Sequence, residues 1–339
     1  MQQTECIYMR IAVLFNKPAD RFAQDTSHVE AEDDTELSAR EVAMALEEYD
    51  ADVTLVPITE HSIEETINTL DADLIFNLIE WTGVDTPFAI ETFDRMDARG
   101  MLYTGATKQS YLDSCDKRAI KTLCDTHGLP TAQWQAFETG EETIREDLTY
   151  PMIVKVSLEH SSVGIGIDSI VRDATELRSV VRKRIAEYAQ PVFAETFLAG
   201  REFQVTLLDK ADGLTVLPPA EVIYQGNTAV PLLTYESRWD EHHSDYANST
   251  VRLADLDGAL KQQLTDISNT AFTELGFRDY ARFDIRCDGL GHPFFLELNS
   301  NPGLGDDEEY GMTVSYKAVG MRFADLVWEI VQAALRRTS

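Results

Sequence analysis

Two short apolar runs near the C-terminal end constrain this chain most. They are Tyr280-Ala-Arg-Phe-Asp-Ile-Arg and, after a brief turn, His292-Pro-Phe-Phe-Leu-Glu-Leu-Asn-Ser-Asn-Pro-Gly-Leu-Gly305. Both read as strands that carry hard oxygen ligands: Asp284 in the first, Glu297 and Asn299 in the second. Side chains two apart on a strand share a face, so Arg282 sits beside Asp284, and Glu297 beside Asn299. Pairing the two strands would gather two carboxylates, an amide and a guanidinium at one spot. Mg²⁺ takes few protein carboxylates and shares its other positions with water and phosphate oxygens, so the pattern outlines a Mg²⁺–nucleotide site. An acidic pair alone is more often solvated surface. Here Phe295, Leu296 and Leu298 are apolar, which makes the polar positions read as enclosed.

Arg-Phe-Asp followed by Glu-Leu-Asn-Ser-Asn-Pro-Gly-Leu resembles the metal-binding end of the ATP-grasp carboxylate–amine ligases, above all the D-alanine–D-alanine ligases. The resemblance implies that Asp284, Glu297 and Asn299 hold Mg²⁺ (or Mn²⁺) on ATP. It also implies that Arg282, with a backbone N–H near Gly303, stabilises a tetrahedral intermediate. Donors aimed at a developing oxyanion are worth roughly 3–4 kcal/mol each.

Further stations follow in the family's order. Lys155 stands in the apolar strand Pro151–Val156, and a small-residue turn able to wrap phosphate runs from Ser157 to Gly166. Ser161, Ser162, Val163 and Gly164 resemble the family's phosphate lid, with Ser161 grouped among the catalytic residues. Glu195 and Leu198 resemble its adenine hinge, although the lysine usual after that glutamate is Thr196 here. Glu202 of Gly200-Arg-Glu corresponds to the ribose-binding acid, and Lys117 of Asp116-Lys to a phosphate contact. Arg238 stands where a lysine usually meets the γ-phosphate, with the charge kept and the shape changed. Taken alone, Lys155 would be a snorkelling surface lysine.

The implied fold is α/β. A doubly wound parallel-sheet domain over residues 1–107 precedes a two-lobed ATP-grasp fold, with a central lobe over 108–198 and a C-terminal lobe over 199–339. Alternating strand and helix patterns from Arg10 to Gly105 support the first part. Strands are expected at Val53–Ile58 and Leu214–Tyr224, and helices at Asp34–Tyr49, from Asp116 to His127, at Ala174–Tyr188 and at Leu256–Leu275.

The implied activity is two-step. A carboxylate takes the γ-phosphate of ATP to give an acyl phosphate, and an amine then displaces phosphate. The partners are small-molecule carboxylate and amine substrates, and a homodimer is the assembly to which the resemblance points. A net charge of −30 argues against a nucleic acid partner. No run approaches the ~20 apolar residues of a membrane span. The N-terminus lacks a signal pattern and the four cysteines lack metal spacing, so a reducing cytoplasm is expected. Scattered acids with arginine favoured over lysine suggest a halophilic setting.

The resemblance weakens at the substrate end. A family Gly-Gly-x-Ser-x-Glu segment is replaced by Asn16-Lys-Pro-Ala-Asp, with Glu36 or Asp34 as candidate substitutes. A His-Gly-x-x-Gly-Glu-Asp-Gly stretch is replaced by residues including Glu80 and Trp81. Asp306-Asp-Glu-Glu follows Gly303 where the family has a substrate-binding serine. Like charges there disfavour a carboxylate-bearing acceptor. The leading expectation is therefore a ligase with altered substrates. A genuine D-alanine–D-alanine ligase and a nucleotide-binding protein without ligase chemistry are the alternatives.

Overall fold

The computed structural model describes residues 9–17, 26–79, 86–160, 162–225, 231–234, 242, 249–307 and 310–338, with side chains of the first helix described from Thr35. Three sheets organise the chain. The first holds β1 (Arg10–Asn16), β2 (Asp52–Ile58) and β3 (Leu74–Leu78), all parallel in the order β2-β1-β3. Its helices are α1 (Thr26–Glu47), α2 (Ile63–Thr69) and α3 (Thr86–Ala98).

Ile11, Val13 and Phe15 share a core with Val42 and Leu46 of α1, while Ala12 and Leu14 share one with Ile67 of α2 and Phe93 of α3. Both faces are thus covered, which is why β1 reads as an unbroken apolar run from Ile11 to Phe15. Helix α1 begins well before the expected Asp34. The segment ahead of it is largely polar and offers no apolar period to mark a start.

Two helices follow, α4 (Lys108–Cys115) and α5 (Lys117–His127). Asp116 caps α5, accepting from the Arg118 N–H, and Gly128 ends it in the left-handed region at φ 65°. Tyr111 and Cys115 of α4 join the core beside the first sheet, whereas Ile120 and Cys124 of α5 join that of the largest sheet. Helix α4 was not anticipated, because its polar sequence rests on a Thr107–Ser110 capping box rather than an apolar stripe.

The second sheet comprises β4 (Trp134–Phe137), β5 (Met152–Val156), β6 (Ile170–Val171) and β7 (Val192–Thr196), antiparallel in the order β4-β7-β5-β6. Helix α6 (Ala174–Tyr188) covers one face with Leu177 and Val181, against Val154, Val192 and Ala194. By strand alternation Lys155 and Glu195 point to the other face.

The third sheet holds β8 (Glu202–Lys210), β9 (Gly213–Val216), β10 (Ala220–Tyr224), β11 (Ser249–Leu253), β12 (Tyr280–Cys287) and β13 (Pro293–Asn299). Its order is β11-β10-β8-β12-β13, with β9 also paired to β8. Residues Leu214–Tyr224 were expected as one strand and form two. Pro218 and Pro219, which lack N–H donors, separate them. Helix α7 (Gly258–Glu274) shares a core with Phe203, Val205, Leu207, Phe283 and Ile285, leaving the alternate residues of β8 and β12 on the opposite face, where Leu208 and Tyr280 join the core of the first sheet. Helix α8 (Gly311–Ala318) and α9 (Phe323–Arg336) close the chain. Val327, Ile330 and Val331 of α9 share the core of β1 and α1, tying the C-terminus to the first sheet. No helix among the described residues is long and apolar enough to cross a membrane.

Candidate active site

The two signature strands pair antiparallel, with Arg282 opposite Asn299 and Asp284 opposite Glu297. Beyond that point Ile285 pairs with Phe295, so Leu296 is an extra residue on β13. Without this bulge Phe295 and Glu297 would share a face. With it, Phe295 is fully buried in the core beside Phe283 and Ile285, while Glu297 turns to the cleft.

Arg282 donates to both oxygens of Asp284, at 2.9 and 3.1 Å, and the Asn299 amide donates to Asp284 Oδ2 at 3.3 Å. Burial raises the Asp284 pKa, Arg282 opposes it, and Glu297 adds to the rise. For Glu297, burial works against ionisation, but Lys117 first and other cations after it hold its pKa down to about 2. Lys117 Nζ lies 3.2 Å from Glu297 Oε1 and also donates to the Glu159 carbonyl. Two facing carboxylates and an amide offer an all-oxygen donor set, each carboxylate being paired with one cation, Arg282 or Lys117. Among the described residues no group of three or more His, Cys, Asp or Glu side chains is gathered for a metal. A sparse oxygen set of this kind suits Mg²⁺ that keeps phosphate and water as further ligands.

On the facing sheet, Glu195 of β7 is 1 % exposed and held by two lysines. Lys155 Nζ lies 2.7 Å from one oxygen and Lys121 Nζ 2.5 Å from the other. Lys121 also donates to the Phe295 carbonyl at 3.0 Å, linking α5, β7 and β13. Burial alone would discharge these groups; their mutual attraction instead keeps Glu195 low and Lys155 high in pKa.

The loop after β5 turns tightly. Ser162 and Gly164 have φ of 64° and 73°, and a Cβ at Gly164 would lie 2.6 Å from Val156. The Val163 N–H donates to the His160 carbonyl at 3.0 Å. Ser161 lies outside the described residues, as do Arg238, Glu80 and Trp81.

Past β7, Leu198 is buried, and Thr196 donates through its hydroxyl to the Thr149 carbonyl at 3.2 Å. Glu202 opens β8 and accepts from the Tyr224 hydroxyl at 2.7 Å. Gly303 follows β13 between buried Pro302 and Leu304. The chain thus brings Lys117, Lys155, Glu195, Glu202, Arg282, Asp284, Glu297 and Asn299 to the facing sides of two sheets and the helix between them.

A family model described as the D-ala D-ala ligase C-terminus matches residues 123–332. The chain belongs to the D-Ala–D-Ala ligase family. An uncharacterized protein of Sinorhizobium fredii is 31 % identical over 265 residues, 78 % of this chain and 75 % of its own. A D-alanine–D-alanine ligase of Cupriavidus taiwanensis is 29 % identical over 243 residues, 70 % of this chain and 69 % of its own. A crystal structure of the Bacillus anthracis D-alanine–D-alanine ligase superposes with a TM-score of 0.75 at 20 % identity, covering 97 % of this chain and 98 % of that one. The same enzyme complexed with ATP gives 0.72 at 19 %, covering 97 % and 98 %. The fold of this family member is the expected α/β architecture: a parallel-sheet domain and a two-lobed ATP-grasp. Its enzyme class is that of the ATP-dependent ligases forming a C–N bond.

Sequence reading passed over several cleft residues. Lys121 follows Lys117 by one helical turn, a spacing that signals a shared face. Arg286 continues the alternation of Arg282 and Asp284 on β12. Tyr224 reaches Glu202 only through the β10–β8 pairing. His160, in the loop after β5, has a buried Nε2 without a hydrogen-bond partner among the described residues, and burial followed by Lys117 drives its pKa down to about 3.

At the substrate end, Glu36 lies 3.4 Å from Lys17 and 2.6 Å from Arg40. Asp306 accepts from Tyr316 at 2.5 Å and lies 3.1 Å from Lys317.

Proposed function

We propose that the chain joins a carboxylate to an amine at the expense of ATP, through an acyl phosphate, on substrates other than a D-alanine pair. The observation that carries the ligase chemistry is the direct opposition of Asp284 and Glu297, with Arg282 on the same face. A protein that only bound nucleotide would have no use for a guanidinium beside that pair. In this reading Asp284, Glu297 and Asn299 hold Mg²⁺, which neutralises the transferring phosphate. Lys117, Lys155 and the turn at Ser162, Val163 and Gly164 hold the phosphates, with Arg238 on the γ-phosphate. Glu195 and Leu198 bind the base and Glu202 the ribose. Arg282, the N–H near Gly303, and Ser161 serve the reacting carboxylate and its tetrahedral intermediate. The assigned division is an N-terminal α/β domain over 1–107, a central ATP-grasp lobe over 108–198 and a C-terminal lobe over 199–339.

The altered substrate site is supported by the engagement of Glu36. Glu36, a candidate for holding a substrate amine, is already paired with Lys17 and Arg40. Asp306, first of the acidic run, is also engaged, by Tyr316 and Lys317, which eases its repulsion of an acceptor carboxylate.

Phosphate release from ATP–Mg²⁺ across a panel of amino acids and amines tests the reading, with hydroxylamine trapping for the acyl phosphate. Activity on D-alanine alone would replace it by the D-alanine–D-alanine ligase itself. Release without a trappable acyl group would remove the ligase chemistry.

A further inference from the structure

Arg286 has no part in the roles above, yet it is one of the best-engaged cations in the cleft. It is the third residue of the cleft-facing row on β12, after Arg282 and Asp284, and it pairs directly with Glu202 of β8. It is 4 % exposed. Its Nη1 lies 3.1 Å from Glu202 Oε2, its Nη2 donates to the Pro231 carbonyl at 2.6 Å, and its Nε donates to the Gly200 carbonyl at 3.3 Å. The guanidinium carbon lies 5.2 Å from the Phe197 ring centre and 5.5 Å from that of Tyr224. Tyr224 in turn donates to the same oxygen of Glu202 at 2.7 Å.

We propose that Arg286, with Tyr224, is a positioning residue for nucleotide ribose recognition: both donors grip Glu202 Oε2, fixing the carboxylate so that Oε1 meets the ribose hydroxyls. This rests on the reading of the cleft as an ATP site with Glu202 at the ribose. A carboxylate without such donors would be free to swing. A planar, permanently charged fork that also spans two backbone carbonyls holds it in one rotamer. Lysine, with one compact ammonium, cannot span the same three acceptors.

Calorimetric binding of ATP, 2′-deoxy-ATP and 3′-deoxy-ATP, each with Mg²⁺, tests the proposal on the intact chain. Wild type is expected to bind at least one deoxy analogue about 10-fold more weakly than ATP, as loss of a hydrogen bond to a charged group implies. In R286M and, to a lesser degree, Y224F, that ratio should collapse toward one, because ATP loses affinity while the analogue does not. R286K should behave like R286M. A ratio unchanged in the variants, with ATP and analogue weakened alike, would make Arg286 a purely structural tie and overturn the proposal. If R286M does not fold, Y224F decides by the same ratio. A wild-type chain that binds no ATP would instead overturn the nucleotide reading itself, and this inference with it.

Discussion

Lys117 on α5 and Glu297 on β13 neutralise each other across 3.2 Å. In the proposed roles each must change partner, the lysine to phosphate and the carboxylate to Mg²⁺. Metal and nucleotide binding should therefore depend on one another. In K117M, ATP should bind about 10-fold more weakly, while Mg²⁺ alone should bind more tightly than to wild type because its competitor is gone. Calorimetry with each ligand separately checks the opposite signs; equal losses of both would contradict the pairing.

Glu195 has two lysines but only Lys155 is given to ATP in the proposed site. Lys121, fully buried, is left to keep the carboxylate charged. K121M should cost about 3 kcal/mol of stability, as breaking a buried ion pair does, and K121M combined with E195Q should regain part of it. Denaturant unfolding of the single and double variants measures this. A K121M loss that E195Q leaves untouched would argue for lost packing rather than lost charge.

Gly200 lies where the hinge crosses β12: its N–H donates to the Cys287 carbonyl at 3.0 Å, and an added Cβ would sit 2.5 Å from that same oxygen. Backbone cannot yield as a side-chain tip can. G200A should destabilise by about 1–3 kcal/mol and weaken ATP binding together. G213A is the contrast: open space surrounds a Cβ there, at φ 116°, so any cost is conformational and ATP affinity should hold.

The pH response of α9 can be given a sign. Asp325 accepts from Arg322, from Tyr49 at 2.6 Å and from the Arg322 N–H, and these bonds hold its pKa down to about 2. A carboxyl lowered in the folded state adds stability above its ordinary pKa of ~3.9, and that stability is lost as pH falls toward about 2. The group is a third exposed, so its contribution is about 1 kcal/mol or less. D325N should melt lower than wild type at pH 7 and converge with it near pH 2; a constant gap would point to shape rather than charge.

The net charge of −30 stores self-repulsion that salt can screen. Raising ionic strength from about 0.1 to 1 M shortens the Debye length from about 10 to 3 Å. The melting temperature should rise over that range. A flat or falling profile would remove the suggestion of a halophilic setting.

The parts of the site that were legible obey local rules. Arg282, Asp284, Glu297 and Asn299 could be assigned to one face because strand alternation needs no knowledge of the rest of the chain. What stayed hidden depends on distant partners. Lys121 looks like an ordinary solvent-facing helix lysine until β7 supplies Glu195. Tyr224 matters only because β10 lies beside β8. Leu214–Tyr224 failed as one strand for a reason visible in Pro218 and Pro219 themselves. The early part of α1 and helix α4 escaped because their residues carry no apolar period.

One extra leucine gives β13 two phases. Up to Phe295 the odd-numbered residues turn to the hydrophobic interior; from Glu297 onward they turn to the cleft, and Leu298 keeps the core. The bulge thus sets which residues of β13 pack the core and which face the cleft separately on its two sides. Deletion of Leu296 would remove that separation: either an aromatic ring would be driven into the cleft or the acid into the core. The reactive end of this ligase family member is set apart from its own scaffold by a single residue that touches neither metal nor nucleotide in the assigned roles.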